Sequence, residues 1–284
     1  MRVLSFGAGV QSTYILERSL RGDYPRMDAV IFADTGAEPE GVYRCCGRYE
    51  AKCKMAGVPF VRVSAGNIIT DTTGDSIPRN GKGTGNFASM PLHLKTPVTR
   101  KNKSGSGMLR RQCTSEYKIA PIREKMRELG ASRKNPAELW MGVSADEIQR
   151  IKQPDVLYVV NYYPLCRGYS TGKGWDGTFD TTMDAVRRSD CIQWFKSVGL
   201  DVPEKSACIF CPFKDNARWR EHKQNPEEWQ SIIRIDQVVR TLKRIKGVAF
   251  LHRSLKPIDE ADLGEDDSLF GLGFDNECEG MCGV

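Results

Sequence analysis

The sequence predicts an α/β protein built on a parallel sheet with helices on both faces. Three observations carry that expectation. Short apolar runs alternate with helix-like segments over the first part of the chain, and three of these runs end in a glycine-containing turn. The 284 residues are also enough to bury a full core. Such sheets place their ligands at the carboxyl ends of the strands, where all three turns fall.

Taken in order, Met1 to Phe6 reads as the first strand, Gly7 to Gln11 as a turn and Ser12 to Leu20 as a helix. Ala29 to Ala33 reads as a buried strand, followed by Asp34-Thr35-Gly36 and a helix from Pro39. Pro59 to Val63 is the next strand. From Gly66 to Arg111 the pattern dissolves into Gly, Ser, Thr, Asn and Lys, which predicts a long loop. Its second half carries Lys95, Arg100, Lys101, Lys103, Arg110 and Arg111 with no acidic residue among them, so it is either a substrate-contacting lid or a solvated basic loop. Glu138 to Val143 reads as a strand with Gly142 near its end, leading into Ser144-Ala145-Asp146-Glu147. Beyond Cys191 the composition changes. Glu227 to Lys246 has Trp229, Ile232, Ile233 and Val239 at helical spacing with basic residues between them. After Ile258 an acidic linker leads to a tail ending NECEGMCGV.

Composition narrows the function classes. The opening MRVLSFGAGV reads as a core strand and not as a signal peptide, and no run of about 18 apolar residues could cross a membrane. We therefore expect a cytoplasmic protein with no membrane partner. Ten cysteines in a reducing compartment point to metal or thiol chemistry and away from a disulfide framework. A net charge of +6 permits nucleic-acid contact without demanding it.

The stretch Ser5-Phe6-Gly7-Ala8-Gly9-Val10-Gln11-Ser12-Thr13 carries the strongest chemical signal. Small residues let backbone N–H groups approach a phosphate, and the following helix offers its positive end and two hydroxyls to the same anion. This stretch resembles the pyrophosphate loop of the adenine nucleotide alpha hydrolase (PP-loop) superfamily, especially the phosphoadenylyl-sulfate reductase branch, whose loop reads SFSGGKDST. Ser5, Phe6, Gly9, Ser12 and Thr13 match, while Gly7, Ala8, Val10 and Gln11 depart, so the loop's usual lysine and aspartate are missing. FADTGAEPE, RQCTSEYKIAPI and GVSADEIQRIK resemble three further motifs of that superfamily, in the same order. The likeness covers roughly Met1 to Lys214, with gaps.

The resemblance implies a Rossmann-like PP-loop fold over residues 1–188, holding ATP on Ser5, Gly7, Gly9, Ser12, Thr13, Asp34, Thr35, Gly36 and Gly142. The loop at 66–111 lies within that domain. Residues 189–284 would form a smaller helical, cysteine-containing C-terminal lobe with its acidic linker and tail. Asp34 is a ligand for Mg2+ or the ribose, or else a helix cap. Lys118 and Arg150 would neutralise phosphate charge developing in a transfer reaction, or else are surface cations.

Cys208-Ile209-Phe210-Cys211 is a half-site whose two thiolates can reach one metal centre. With Cys113 and Cys191 it makes a C-x77-C-x16-C-x2-C set. That set resembles the iron–sulfur arrangement of the ATP pyrophosphatase subunits of bacterial DNA phosphorothioation systems. The resemblance implies a 4Fe–4S cluster, with structural zinc or no metal as the alternatives. Cys45, Cys46, Cys53 and Cys166 read as incidental, as do His93, His222 and His252. In the tail, Cys278 resembles the catalytic cysteine of sulfonucleotide reductases but lacks their histidine.

The reading that follows is an adenylating ATP pyrophosphatase in sulfur transfer to nucleic acid, DNA or tRNA. Its sulfur donor would be a protein such as a cysteine desulfurase, and the chain could form a homodimer. The alternatives are a sulfonucleotide reductase with Cys278 as nucleophile, and an inactive nucleotide- or DNA-binding subunit.

Overall fold

The structure is a computed structural model, and it describes residues 1–73, 90–100, 102–174, 177–242 and 245–264. Its centre is a six-stranded sheet in the order β3-β2-β1-β6-β7-β8. The strands are β1 (Arg2–Ser5), β2 (Ala29–Asp34), β3 (Phe60–Ser64), β6 (Ala137–Trp140), β7 (Val159–Tyr163) and β8 (Tyr169–Gly172). All neighbours run parallel except β7 and β8. The α/β expectation is met, with one antiparallel strand at the edge.

The helices follow from the same apolar periodicity. On α1 (Val10–Leu20) every residue as far as Glu17 is buried, and its side chains join Leu4, Val30 and Trp140 in one core. Helix α2 (Glu40–Met55) adds Val42, Cys46, Tyr49 and Cys53 to that core. On the other side, Ile122 and Met126 of α4 (Ala120–Glu128) pack on Val3, Ile31 and Leu139. Each large side chain buried this fully contributes about 1.5–3 kcal/mol. Helix α5 (Arg188–Ser197) packs on α1, so Cys191 and Phe195 belong to the first core.

Boundaries differ from the expectation in instructive ways. The strand expected over Glu138–Val143 ends at Trp140, because Val143 N turns back to Met141 O and leaves the ladder. Gly142 therefore sits in the turn beyond the strand. The stretch expected to be one long loop carries α3 (Ile68–Thr73) and two short strands, β4 (His93–Lys95) and β5 (Ser106–Met108). These strands pair with each other and with β9 (Val248–Phe250) in a second, antiparallel sheet. Strands of three residues are too short for alternation to register in the sequence. The helical run expected over Glu227–Lys246 is α7 (Pro226–Arg240), which is capped by Asn225 and preceded by α6 (Asn216–Lys223). Trp219, Trp229, Ile232 and Val239 from this pair pack with Ile68, Leu92 and Leu251 as a second core. Among the described residues no helix is long and apolar enough to cross a membrane.

Candidate functional site

The strand order reverses between β1 and β6. From β1 the chain steps to β2 and β3 on one side, and β6 and β7 extend the sheet on the other. The turns leaving β1 and β6 therefore diverge and open a crevice at their carboxyl ends, the usual ligand position in such sheets. Residues Phe6–Gly9 form one wall. Phe6 N donates to Ile31 O at 2.9 Å, and Ser12 Oγ accepts from Gly7 N at 3.3 Å. Ala8 holds a left-handed conformation, φ 58°, which costs about 1–2 kcal/mol in a residue with a β-carbon. Gly9 is extended (φ −86°, ψ −179°) and starts α1 with no side-chain cap. The first N–H groups of α1 thus have no intrahelical or side-chain acceptor.

Two buried polar atoms mark the same place. Ser5 Oγ and Gln11 Oε1 have no hydrogen-bond partner among the described residues. Leaving such a group unsatisfied costs about 1–3 kcal/mol, which an anion binding beside the serine hydroxyl would recover. The residues present therefore fit a phosphate group at this loop.

The opposite wall comes from the turn after β6 and the short 3-10 helix Ala145–Arg150. Gln11 Nε2 donates to Glu147 Oε2 at 3.0 Å and to Ser144 Oγ at 3.4 Å. Glu147 Oε1 in turn accepts from Arg150 at 2.7 Å. A chain of polar contacts thus ties the first loop to the third. The bridging role of Gln11 was not legible in the sequence, where the residue only marked a departure from a familiar loop. Thr13 lies further along α1, with its hydroxyl 3.8 Å from Cys45 Sγ of α2.

The turn after β2 is held by its own side chains. Asp34 Oδ1 accepts from Gly36 N and from Tyr43 Oη, both at 2.8 Å. Gly36 has φ 73°, and a β-carbon there would lie 2.5 Å from Asn67 Nδ2, so only glycine fits. Thr35 Oγ1 donates to Glu38 Oε1 at 3.2 Å. Glu38 also pairs with Lys118 at 3.1 Å, and both side chains are almost completely buried, at 0% and 4% exposure. Lys118 comes from the helical turn Ser115–Ile119 that precedes α4. The second oxygen of Glu38 has no hydrogen-bond partner among the described residues. Glu38 was not among the residues that the sequence singled out, yet it organises the only buried ion pair of this turn among the described residues.

The cysteines divide into two places. Cys113 and Cys208 border the second core, and Cys211 follows in a turn where its N–H meets Cys208 O at 3.0 Å. Arg111 lies over the Phe213 ring at 5.4 Å, setting these two segments side by side. Cys208 Sγ is 3.4 Å from Thr35 Oγ1, so the half-site borders the Asp34 turn. Lys214 reaches the same edge. Burial lowers its pKa, and the adjacent Cys211, Cys208 and Glu38 oppose that shift. Cys191 is elsewhere, fully buried in the first core close to Tyr14 and Tyr24. Cys113 and Cys208 thus lie at the second core, and Cys191 lies in the first. Among the described residues no three His, Cys, Asp or Glu side chains are grouped closely enough to hold a metal ion. The remaining described thiols suit an inert role, since burial pushes Cys53 up to about 11 and Cys166 up to about 12. Cys278 lies outside the described residues.

Comparison of the chain with protein families, curated proteins and solved structures gives no match.

One open space adjoins this constellation. A cavity of about 590 Å³ runs from the end of β6 at Met141 to the start of α4 and is lined by Arg150. Arg110 and Arg111 of the basic stretch also line it.

Proposed function

We propose that this chain is a PP-loop ATP pyrophosphatase that adenylates an oxygen of a nucleic acid so that sulfur can replace it. The observation that carries this reading is Ser5 Oγ, buried without a partner beside the uncapped start of α1 at the reversal of strand order. The phosphates of ATP would lie on the backbone of Gly7–Gly9 and the first turn of α1, with the Ser5 and Ser12 hydroxyls alongside. Gly142 in the turn after β6 would leave room for the adenosine. Asp34, Thr35 and Gly36 would flank it from the turn after β2. Asp34 Oδ1 already holds its own turn, so its Oδ2 is the atom left to a magnesium ion.

In the first step an acceptor oxygen attacks the α-phosphorus of ATP and the bond to the β-phosphate oxygen breaks, releasing pyrophosphate. The leaving pyrophosphate carries the charge that the helix end and a cation must stabilise. Arg150 is the cation for this role, tied to Glu147 and, through it, to Gln11. Lys118 acts as a positioning residue, because Glu38 neutralises it inside the fold. In the second step the terminal sulfur of a donor protein's persulfide attacks the activated centre and AMP leaves with the oxygen. A second thiol then attacks the donor's cysteine sulfur, forming a disulfide with it and leaving the outer sulfur on the acceptor. An iron–sulfur cluster at the Cys208–Cys211 half-site would take its further ligands from outside the described grouping and would supply a place to hold that sulfur. No step in this account depends on it.

Titration of ATP into the wild-type protein and Ser5→Ala tests the reading. Ser5 Oγ makes no hydrogen bond among the described residues, so its removal should not lower the melting temperature. A hydrogen bond to a charged phosphate is worth about 1.5–3 kcal/mol, so ATP affinity should fall roughly tenfold to a hundredfold. Equal affinity in the two proteins would place the phosphates elsewhere.

A further inference from the structure

The cavity beside Arg150 is more basic than an adenosine site requires. Arg110, Arg111, Arg123, Arg150 and Lys152 line it, and its one acidic residue, Asp155, is already paired with Arg123. These cations come from three separate parts of the chain: the basic stretch, α4, and the end of the 3-10 helix with the segment after it. Their convergence is a product of the fold and not of local sequence. A second kind of group sits among them. Asn161 of β7 is 2% exposed and lines the cavity, and its Oδ1 has no hydrogen-bond partner among the described residues. Its orientation is fixed from the other end, because Nδ2 donates to Lys152 O at 2.9 Å.

We infer that this cavity binds one nucleotide unit of the acceptor nucleic acid, adjacent to the ATP loop. The cations would take the phosphodiester. Asn161 Oδ1, a buried acceptor aimed into a basic space, would accept from a hydroxyl or amino group of the same unit. At about 590 Å³ the space is large enough for a single nucleotide, which a bare phosphate would leave mostly empty. Arg150 lines the cavity and also contacts Glu147 of the crevice, so the site places acceptor phosphate and ATP on either side of one guanidinium. This assignment rests on the proposed function above.

The test uses Arg110→Ala/Lys152→Ala, whose side chains are exposed at the rim and take no part in the ATP loop, and Asn161→Leu as an independent variant. Binding of a fluorescent single-stranded oligonucleotide is followed by anisotropy over a range of salt, with ATP affinity and pyrophosphate release measured on the same preparations. We expect the double variant to bind the oligonucleotide at least tenfold more weakly. The slope of log affinity against log salt should be shallower by about 0.7 for each phosphate contact removed from a single strand. Asn161→Leu should weaken binding with an unchanged salt slope, because it removes an acceptor and no charge. ATP affinity should be unaltered in the double variant. Unchanged oligonucleotide binding in folded variants, or a loss of ATP affinity instead, would overturn the assignment while leaving the pyrophosphatase reading standing. Absence of any oligonucleotide binding by the wild type would overturn the assignment too. If that same wild type also released no pyrophosphate from ATP, the functional reading would fall with it. Competition by inorganic phosphate as effective as competition by unlabelled oligonucleotide would show a simple anion site, which also contradicts the inference.

Discussion

Gln11 Nε2 donates to Glu147 Oε2 at 3.0 Å across 136 positions of chain, and both residues are buried. This contact joins the turn after β1 to the turn after β6, the two turns that diverge at the reversal of strand order. Gln11→Ala leaves Glu147 buried with Arg150 and Ser144 but removes its contact to the first loop. The expected cost is about 1–3 kcal/mol of stability, read by urea denaturation. The reorientation of Arg150 should also lower the rate of pyrophosphate release by more than it alters ATP affinity.

The buried Glu38–Lys118 pair makes a sharper prediction about stability. Removing one partner of such a pair typically costs about 3–5 kcal/mol, whereas replacing both by neutral groups is close to neutral. Lys118→Met should therefore destabilise strongly in urea denaturation, and Glu38→Gln in the same chain should restore most of the loss. If the two substitutions simply add, the pair is not coupled as the 3.1 Å contact indicates.

Gly9→Val separates fold from binding. Gly9 has an extended backbone that a β-branched residue adopts without strain, so the variant should melt close to the wild type. The new side chain would stand where the α1 end meets phosphate, and ATP binding should be lost by titration calorimetry. Unchanged affinity in the folded variant would remove the phosphates from this loop.

Stability should fall on acidification through the histidines. Burial lowers the pKa of both His93 and His222 below the ordinary 6.5, with Lys214 adding to the effect at His222 and Glu228 opposing it. The unfolded chain therefore binds protons at a pH where the folded chain does not, so stability is fully present above about 6.5 and is lost as the pH drops below it. Melting temperatures recorded from pH 7.5 down to 5.0 should decline below 6.5, and the decline should be shallower in His93→Gln. A flat profile over this range would show that neither imidazole is held neutral by the fold.

The parallel sheet was legible because three largely buried strands, β1, β2 and β6, each end in a glycine-containing turn. The three-residue strands β4, β5 and β9 left no such trace, since they are too short for alternation to register and β9 reaches β4 from the far end of the chain. At the site, the phosphate loop was visible in its small residues and hydroxyls. Glu38 and Asn161 were not, because a single polar residue reveals its role only through what the fold packs around it. The four-cysteine spacing shows the limit from the other side. The resemblance grouped Cys191 with Cys113, Cys208 and Cys211, and only the packing of α5 on α1 shows that Cys191 is buried in the first core.

The central claim is that ATP bound at the Ser5–Thr13 loop is cleaved between its α- and β-phosphates. The most direct test incubates the full chain with magnesium, an oligonucleotide and ATP, labelled in separate samples at the α- and γ-phosphates, under anaerobic conditions. The account predicts that the γ label appears in pyrophosphate while the α label appears in AMP or attached to the nucleic acid, and that both are lost in Gly9→Val. Release of the γ label as inorganic phosphate with ADP left behind, or no turnover by a protein that binds ATP and oligonucleotide, would contradict it.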